Sequence, residues 1–360
     1  MEFSEQAPKL AMLLYGLIAF VVVVGGLLLF LDVVPTWVGD RRLQRQIKAA
    51  DRAAATGTAT GTTAPAKKRR KRRKRTEVWF ALGFILPAML LLMIGLIFPA
   101  IRTIGLSFRD RRGEEGVGLA NYEWIFSQPE IVDVVTNTLI WVVLVPLIAT
   151  SIGLIYAVLV DRARGEAFAK ALIFMPMAIS FVGASIIWKF VYAYRSEEQE
   201  QIGLLNQIVV WLGGTPQQWL LNAPLNTLLL IVVLIWIQAG FAMVILSAAI
   251  KAIPDDIVEA ARLDGVNSWQ MFWRVTMPSI RPAVIVVVVT ISIGTLKVFD
   301  IVRTMTNGNF NTNVIANEMY NQAFRYGESG QGSALAVLLF ILVIPIVIYQ
   351  IRNLRQRQEA

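Results

Sequence analysis

The chain has 360 residues, 56% of them hydrophobic and 16% charged, with no cysteine, no histidine and a formal charge of +9. Soluble globular domains are about 45–50% apolar and about a quarter charged, so this balance suits a chain dissolved in lipid. Disulfides, imidazole or thiolate metal sites, thiol nucleophiles and histidine-dependent triads are excluded, and no metal site is expected.

In chain order, Leu10–Leu31 is the first of seven segments long and apolar enough to cross a bilayer, which takes about 20 helical residues. Its flank, Met1–Lys9, carries two glutamates and no positive cluster. Its apolar run exceeds a signal-peptide core and lacks a small-x-small cleavage site. Residues 1–36 therefore read as an uncleaved transmembrane helix. Residues 37–77 read as a basic, flexible cytoplasmic linker, because the Ala/Thr/Gly stretch Ala53–Ala66 cannot offset its ordering entropy by burial.

Lys67–Arg75 is an unbroken run of Lys and Arg. In a soluble tail such a run suggests nucleic acid. Placed before an apolar segment it marks the cytoplasmic side beside anionic lipid, and no nucleic-acid partner is expected. The remaining spans are expected at Trp79–Ile101, Thr138–Val160, Ala171–Tyr192, Asn226–Ala248, Ala283–Val302 and Ala334–Ile351. All should be helical, since lipid offers no partner to an open backbone group. The expected fold is thus an all-α polytopic membrane protein, with residues 78–360 as its main membrane domain. With the linker inside, the N-terminus lies outside and the C-terminus in the cytoplasm.

The loop Lys251–Arg281 joins two spans on the cytoplasmic side and reads as two short helices. Pro254 opens the first, and Asp255 and Asp256 complement its dipole. Gly265 is placed to end it in the left-handed conformation. Ser268 is expected to cap the second helix and Pro278 to stop it. Val258, Ala261 and Gly265 share a small-residue face, while Met271, Phe272 and Val275 form an apolar stripe. Taken alone, such a hairpin is also what a plain connector would look like.

The spacing carries more. Glu259-Ala260-Ala261, three residues, Gly265, nine residues, Val275, one residue and Met277-Pro278 together resemble the EAA loop of ATP-binding-cassette (ABC) importer permeases. The family's usual ending is Ile-x-Leu-Pro, from which Val275 and Met277 depart conservatively. Ala252-Ile-Pro-Asp-Asp256 and Asp264-Gly265 resemble the carbohydrate-uptake branch. So do Gly118-Leu-Ala-Asn121-Tyr122, Trp188-Lys189, Trp236-Ile-Gln238-Ala-Gly240 and Phe299-Asp300. Where many sugar permeases carry Thr-Gly-Gly-x-Pro, this chain has Thr306-Asn-Gly-Asn-Phe310, more like the α-glucoside group.

The resemblance implies a six-helix permease core, with one extra N-terminal transmembrane helix and the loop 251–281 as the coupling element. Glu259, Ala260, Ala261, Asp264, Gly265 and Pro278 would then form the surface that docks on a cytoplasmic ATPase. It further implies a second, different permease chain, two copies of the ATP-binding subunit, an extracytoplasmic sugar-binding protein and a maltose- or α-glucoside-like sugar. The outer loops Arg102–Val135 and Arg195–Leu225 would meet the binding protein. The chain lacks Gly-x-x-x-x-Gly-Lys-Ser/Thr, so ATP and magnesium are expected on the partner and no catalytic residue in this chain.

Polar groups at membrane depth are costly and become candidates for the substrate path. These are Trp236 and Gln238 on the fifth span, and Thr295, Lys297 and Asp300 on the sixth. Lys297 and Asp300, three apart, could pair on one helical face. The alternative role for all of them is to stitch helices together. A membrane enzyme would want His, Cys or clustered carboxylates. A secondary transporter would show repeats or broken helices, and neither it nor a scaffold needs a docking loop.

Overall fold

The computed structural model describes residues 85–161 and 165–358. The chain divides into two units, Met1–Pro87 and Ala88–Ala360. The predicted first span and the basic linker lie outside the described residues. Among those described, the secondary structure is helical apart from turns and one isolated bridge between Arg109 and Gly116.

The helices in chain order are α1 (Ile85–Leu106), α2 (Ala120–Ser127), α3 (Pro129–Val160), α4 (Glu166–Phe174), α5 (Phe181–Val191), α6 (Leu204–Trp211) and α7 (Leu225–Lys251). There follow α8 (Asp255–Leu263), α9 (Ser268–Leu296), α10 (Asp300–Met305), α11 (Ile315–Tyr320) and α12 (Ser329–Gln358). Five of these, α1, α3, α7, α9 and α12, are long and apolar enough to span a membrane.

The predicted span Ala171–Tyr192 is not one straight helix. It is the pair α4 and α5, bent by 100°. Pro176 sits in a tight helical turn, Met175–Ala178, and Ile179 is extended. Ser180 then restarts the helix, its Oγ accepting from the Gly183 amide at 3.0 Å. A missing donor and a serine cap make a corner that hydropathy alone cannot register.

The predicted span Ala283–Val302 is broken as well. Helix α9 ends at Leu296, where the amides of Lys297 and Val298 turn back to Gly294 and Thr295. Asp300 begins α10, in the first turn that favours a carboxylate. Lys297 and Asp300 therefore do not lie on one face of one helix, as the sequence led us to expect.

Lipid is as apolar as leucine, so helices associate through close packing and hydrogen bonds. Helix α7 is the centre of that packing. Gly153 of α3 lies where a Cβ would come within 2.5 Å of the Ala242 Cβ, so these two backbones meet. Gly240 does the same against α4, where a Cβ would stand 2.6 Å from the Ile173 carbonyl oxygen. Trp141, Val145, Leu230, Ile231, Met243 and Leu246 fill the core around these contacts. No residue of α1 is buried, in contrast to α7.

Candidate functional site

The loop 251–281 forms the predicted helical hairpin with two corrections. Pro254 is extended (φ −56°, ψ 135°) and Asp255 and Asp256 occupy the first turn of α8. Gly265 has φ +76°, and the Val266 amide returns to the Ala261 carbonyl at 3.2 Å, closing the helix as expected. The second cap is Asn267 rather than Ser268. Its Oδ1 accepts from the Gln270 amide at 2.8 Å, and Gln270 Oε1 accepts from the Asn267 amide at 3.2 Å. An Asx-x-x-Gln capping box accounts for this choice.

Pro278 does not stop the second helix either. The chain widens into a π turn over Phe272–Thr276, and the Met277 amide donates to Phe272. The wider turn absorbs the donor that Pro278 lacks, and α9 runs unbroken from the hairpin into the membrane. The second helix of the hairpin and this span are one continuous helix.

Glu259, Ala260, Asp264, Gly265 and Pro278 are exposed, and Leu263 is 89% exposed. Nothing lies within 4 Å of the position a Gly265 Cβ would take. Val258 and Ala261 are half-buried, and Val258 faces the body of the protein. Behind them is a cavity of about 580 Å³, lined by Val258, Arg262, Val266 and Met271 of the loop and by Val158 and Lys251. The hairpin thus offers one open face with a carboxylate, small residues and an aliphatic knob. Trp269 and Trp273 stand beside it, edge to face at 5.7 Å and largely exposed.

The candidate path residues separate into two groups. Gln238, Lys297 and Asp300 line a cavity of about 80 Å³, together with Phe181, Leu234 and Phe299. Lys297 also borders an apolar cleft of about 600 Å³ between α1, α11 and α12. Thr295 is fully buried and its hydroxyl donates to the Ile291 carbonyl at 2.8 Å, a bond within its own helix. Trp236 packs edge-on to Trp188 at 5.7 Å and does not line that small cavity.

Sequence reasoning missed a buried polar network beyond the α9 break. Glu318, 7% exposed, accepts from Asn313 at 2.7 Å, Gln322 at 2.6 Å and Asn321 at 3.3 Å. Arg303 donates to Asn321 at 2.9 Å and lies 4.8 Å over the Tyr320 ring. Asn137 of α3 donates to the carbonyl of Asn311, and Asn226 of α7 to that of Phe310. Asn307, Phe310 and Asn311 all have positive φ. The signal was present in asparagines at 307, 309, 311, 313, 317 and 321, residues that tolerate such turns.

Comparison with known proteins decides the family. The family described as binding-protein-dependent transport system inner membrane component matches residues 149–358. The chain belongs to that family. It is therefore similar to transport permeases and not to enzymes. The osmoprotective compounds uptake permease protein GgtC of Synechocystis sp. is 52% identical, over 77% of this chain and 99% of that protein. The alpha-glucoside transport system permease protein AglF of Rhizobium meliloti is 50% identical, over 75% and 81%. A chain of a bacterial ABC transporter involved in the import of the acidic polysaccharide alginate shares the fold, with TM-score 0.69 and 21% identity over 80% of this chain and 99% of that one. Members of the family are multi-pass proteins, in keeping with the apolar helices described above.

Proposed function

We infer that the chain is a transmembrane subunit of an ABC importer for an α-glucoside-like sugar, driven by ATP hydrolysis in a partner docked on the 251–281 loop. The observation that carries this reading is the hairpin itself, whose open face presents Glu259, Ala260 and Gly265 while its second helix continues without a break into a span. A force that crosses the Gly265 turn into the second helix is carried along α9 without a further break up to Leu296. The α-glucoside permease among the relatives supports the substrate class.

The assembly includes a second permease of a different chain, two ATP-binding subunits holding ATP and magnesium, and an extracytoplasmic binding protein that delivers the sugar. Residues 1–36 form an extra span and residues 37–77 a cytoplasmic linker, with the N-terminus outside and the C-terminus inside. Gln238, Lys297 and Asp300 line the sugar path. Trp236 and Thr295 brace it from behind. A pull-down with the co-expressed ATPase tests the reading: wild type retains the ATPase and the Glu259→Ala, Gly265→Arg double variant loses it. Failure of the wild-type chain to retain any ATPase would overturn it.

A further inference from the structure

A second set of charges lies at the root of the coupling hairpin, outside its docking face. Glu166 opens α4, Lys251 closes α7, and Asp161 follows the end of α3. Glu166 Oε1 accepts from Lys170 Nζ at 2.5 Å and from Lys251 Nζ at 2.5 Å. Lys251 Nζ also stands 3.9 Å from Asp161 Oδ1. Lys170 donates in addition to Ser247 Oγ. Two positions one turn apart on α4 thus grip two positions one turn apart on α7. Glu166 and Lys170 are about a fifth exposed at their side chains and Lys251 is half exposed, so water reaches the joint mainly from the Lys251 side.

The same helices are pinned deeper down by glycine. Gly240 brings α7 against the α4 backbone, and Gly153 brings it against α3. With glycine contacts at one level and ions at the other, relative rotation of α4 and α7 is blocked at two points. The hairpin leaves α7 just past Lys251, through Ala252 to Pro254, while its far end is the rigid start of α9.

We propose that Glu166 is a positioning residue for energy coupling. Through Lys170 and Lys251 it joins α4, and with it the bent pair α4–α5, to the end of α7, so that hairpin movement is delivered to both helices as one body. Without the joint, α4 is tied to α7 only at the Gly240 contact, and movement at the end of α7 is passed less completely to α5, which packs against α10 beyond the α9 break.

This rests on the importer reading, and the test separates the two. In the reconstituted complex with its second permease, ATPase and binding protein, sugar uptake and ATP hydrolysis are measured together. Glu166→Gln is expected to lower the sugar moved per ATP by several-fold, with the ATPase still captured and thermal stability unchanged. Glu166→Asp, which keeps the charge, should recover most of the ratio. An unchanged ratio in Glu166→Gln overturns the proposal, whereas failure of wild type to capture an ATPase overturns the importer reading instead. Should Glu166→Gln not assemble, spin labels at Phe168 and Val244, exposed sites on α4 and α7 in a cysteine-free chain, give a second measurement. Their separation stays constant between nucleotide-free and ATP-bound complexes if the joint holds, and a change between the two states sinks it.

Discussion

Asn226 is wholly buried in α7 and donates at 2.7 Å to the carbonyl of Phe310, a residue held at φ +57°. A bulky side chain in that region costs about 1–2 kcal/mol, and the Asn226 amide, with that of Asn137 at Asn311, helps to hold the turn. Asn226→Ala removes the donor to the part-buried Phe310 carbonyl, so a loss of about 1 kcal/mol is expected, read as a lower unfolding temperature of the purified protein. Thr295 and Asp300 should behave differently from one another. The Thr295 hydroxyl is committed to its own helix, so Thr295→Val is expected to leave sugar affinity unchanged in uptake assays. Asp300 lines the cavity with Gln238 and Lys297, so Asp300→Asn should shift KM or turnover. Wild-type values for both parameters in that variant would make Asp300 a structural residue.

Among elements, the 251–281 hairpin was the most legible from sequence. Pro254, the paired aspartates and Gly265 are local signals that act within a single turn, and each appears where it was expected. What escaped was how α9 treats Pro278 and where α9 ends. Proline usually stops a helix, but a π turn upstream removes the conflict, and nothing local in the sequence marks that turn. The close approach at Gly153 is equally invisible without a partner helix. Gly153→Leu must push α3 off α7, and a large drop in folded, membrane-inserted protein is expected by fluorescence-detected size-exclusion chromatography.

The turn after α1 is held by Asp110, whose Oδ1 accepts from the Glu114 and Glu115 amides at 2.8 and 3.1 Å. Desolvation acts to raise the Asp110 pKa, but these amides together with those of Arg112 and Gly113 hold it below its ordinary value of 3.8. A depressed carboxylate lends stability above the unfolded pKa and loses it as pH falls through the folded one. The turn should therefore persist at neutral and mildly acidic pH and loosen only below the ordinary aspartate range. Hydrogen exchange of residues 110–118 across pH 3–7 checks this, and early loosening near pH 5 would contradict it.

At the scale of the whole molecule, α7 is 27 residues long, about 40 Å by helix rise, with the segment after α6 entering at one end and the hairpin leaving at the other. The proposed topology puts Glu198 outside and Asp264 inside. Because the chain has no cysteine, single cysteines at these positions report cleanly. An impermeant thiol reagent on intact cells should label position 198 and spare 264, and the reverse pattern would invert the orientation.

The sequence by itself determined the membrane environment, the helical class, the positions of most spans and the 251–281 hairpin with its fixed spacing. Those features depend on composition summed over about 20 residues or on chemistry within one turn. Only the tertiary structure decided the 100° corner between α4 and α5, the break after Leu296 and the polar network around Glu318. The same holds for the joint of Glu166 with Lys251, residues 85 positions apart in the chain. A hydropathy window averages over a corner, and a charge finds its partner by packing rather than by spacing, so neither could be read before the helices were placed together.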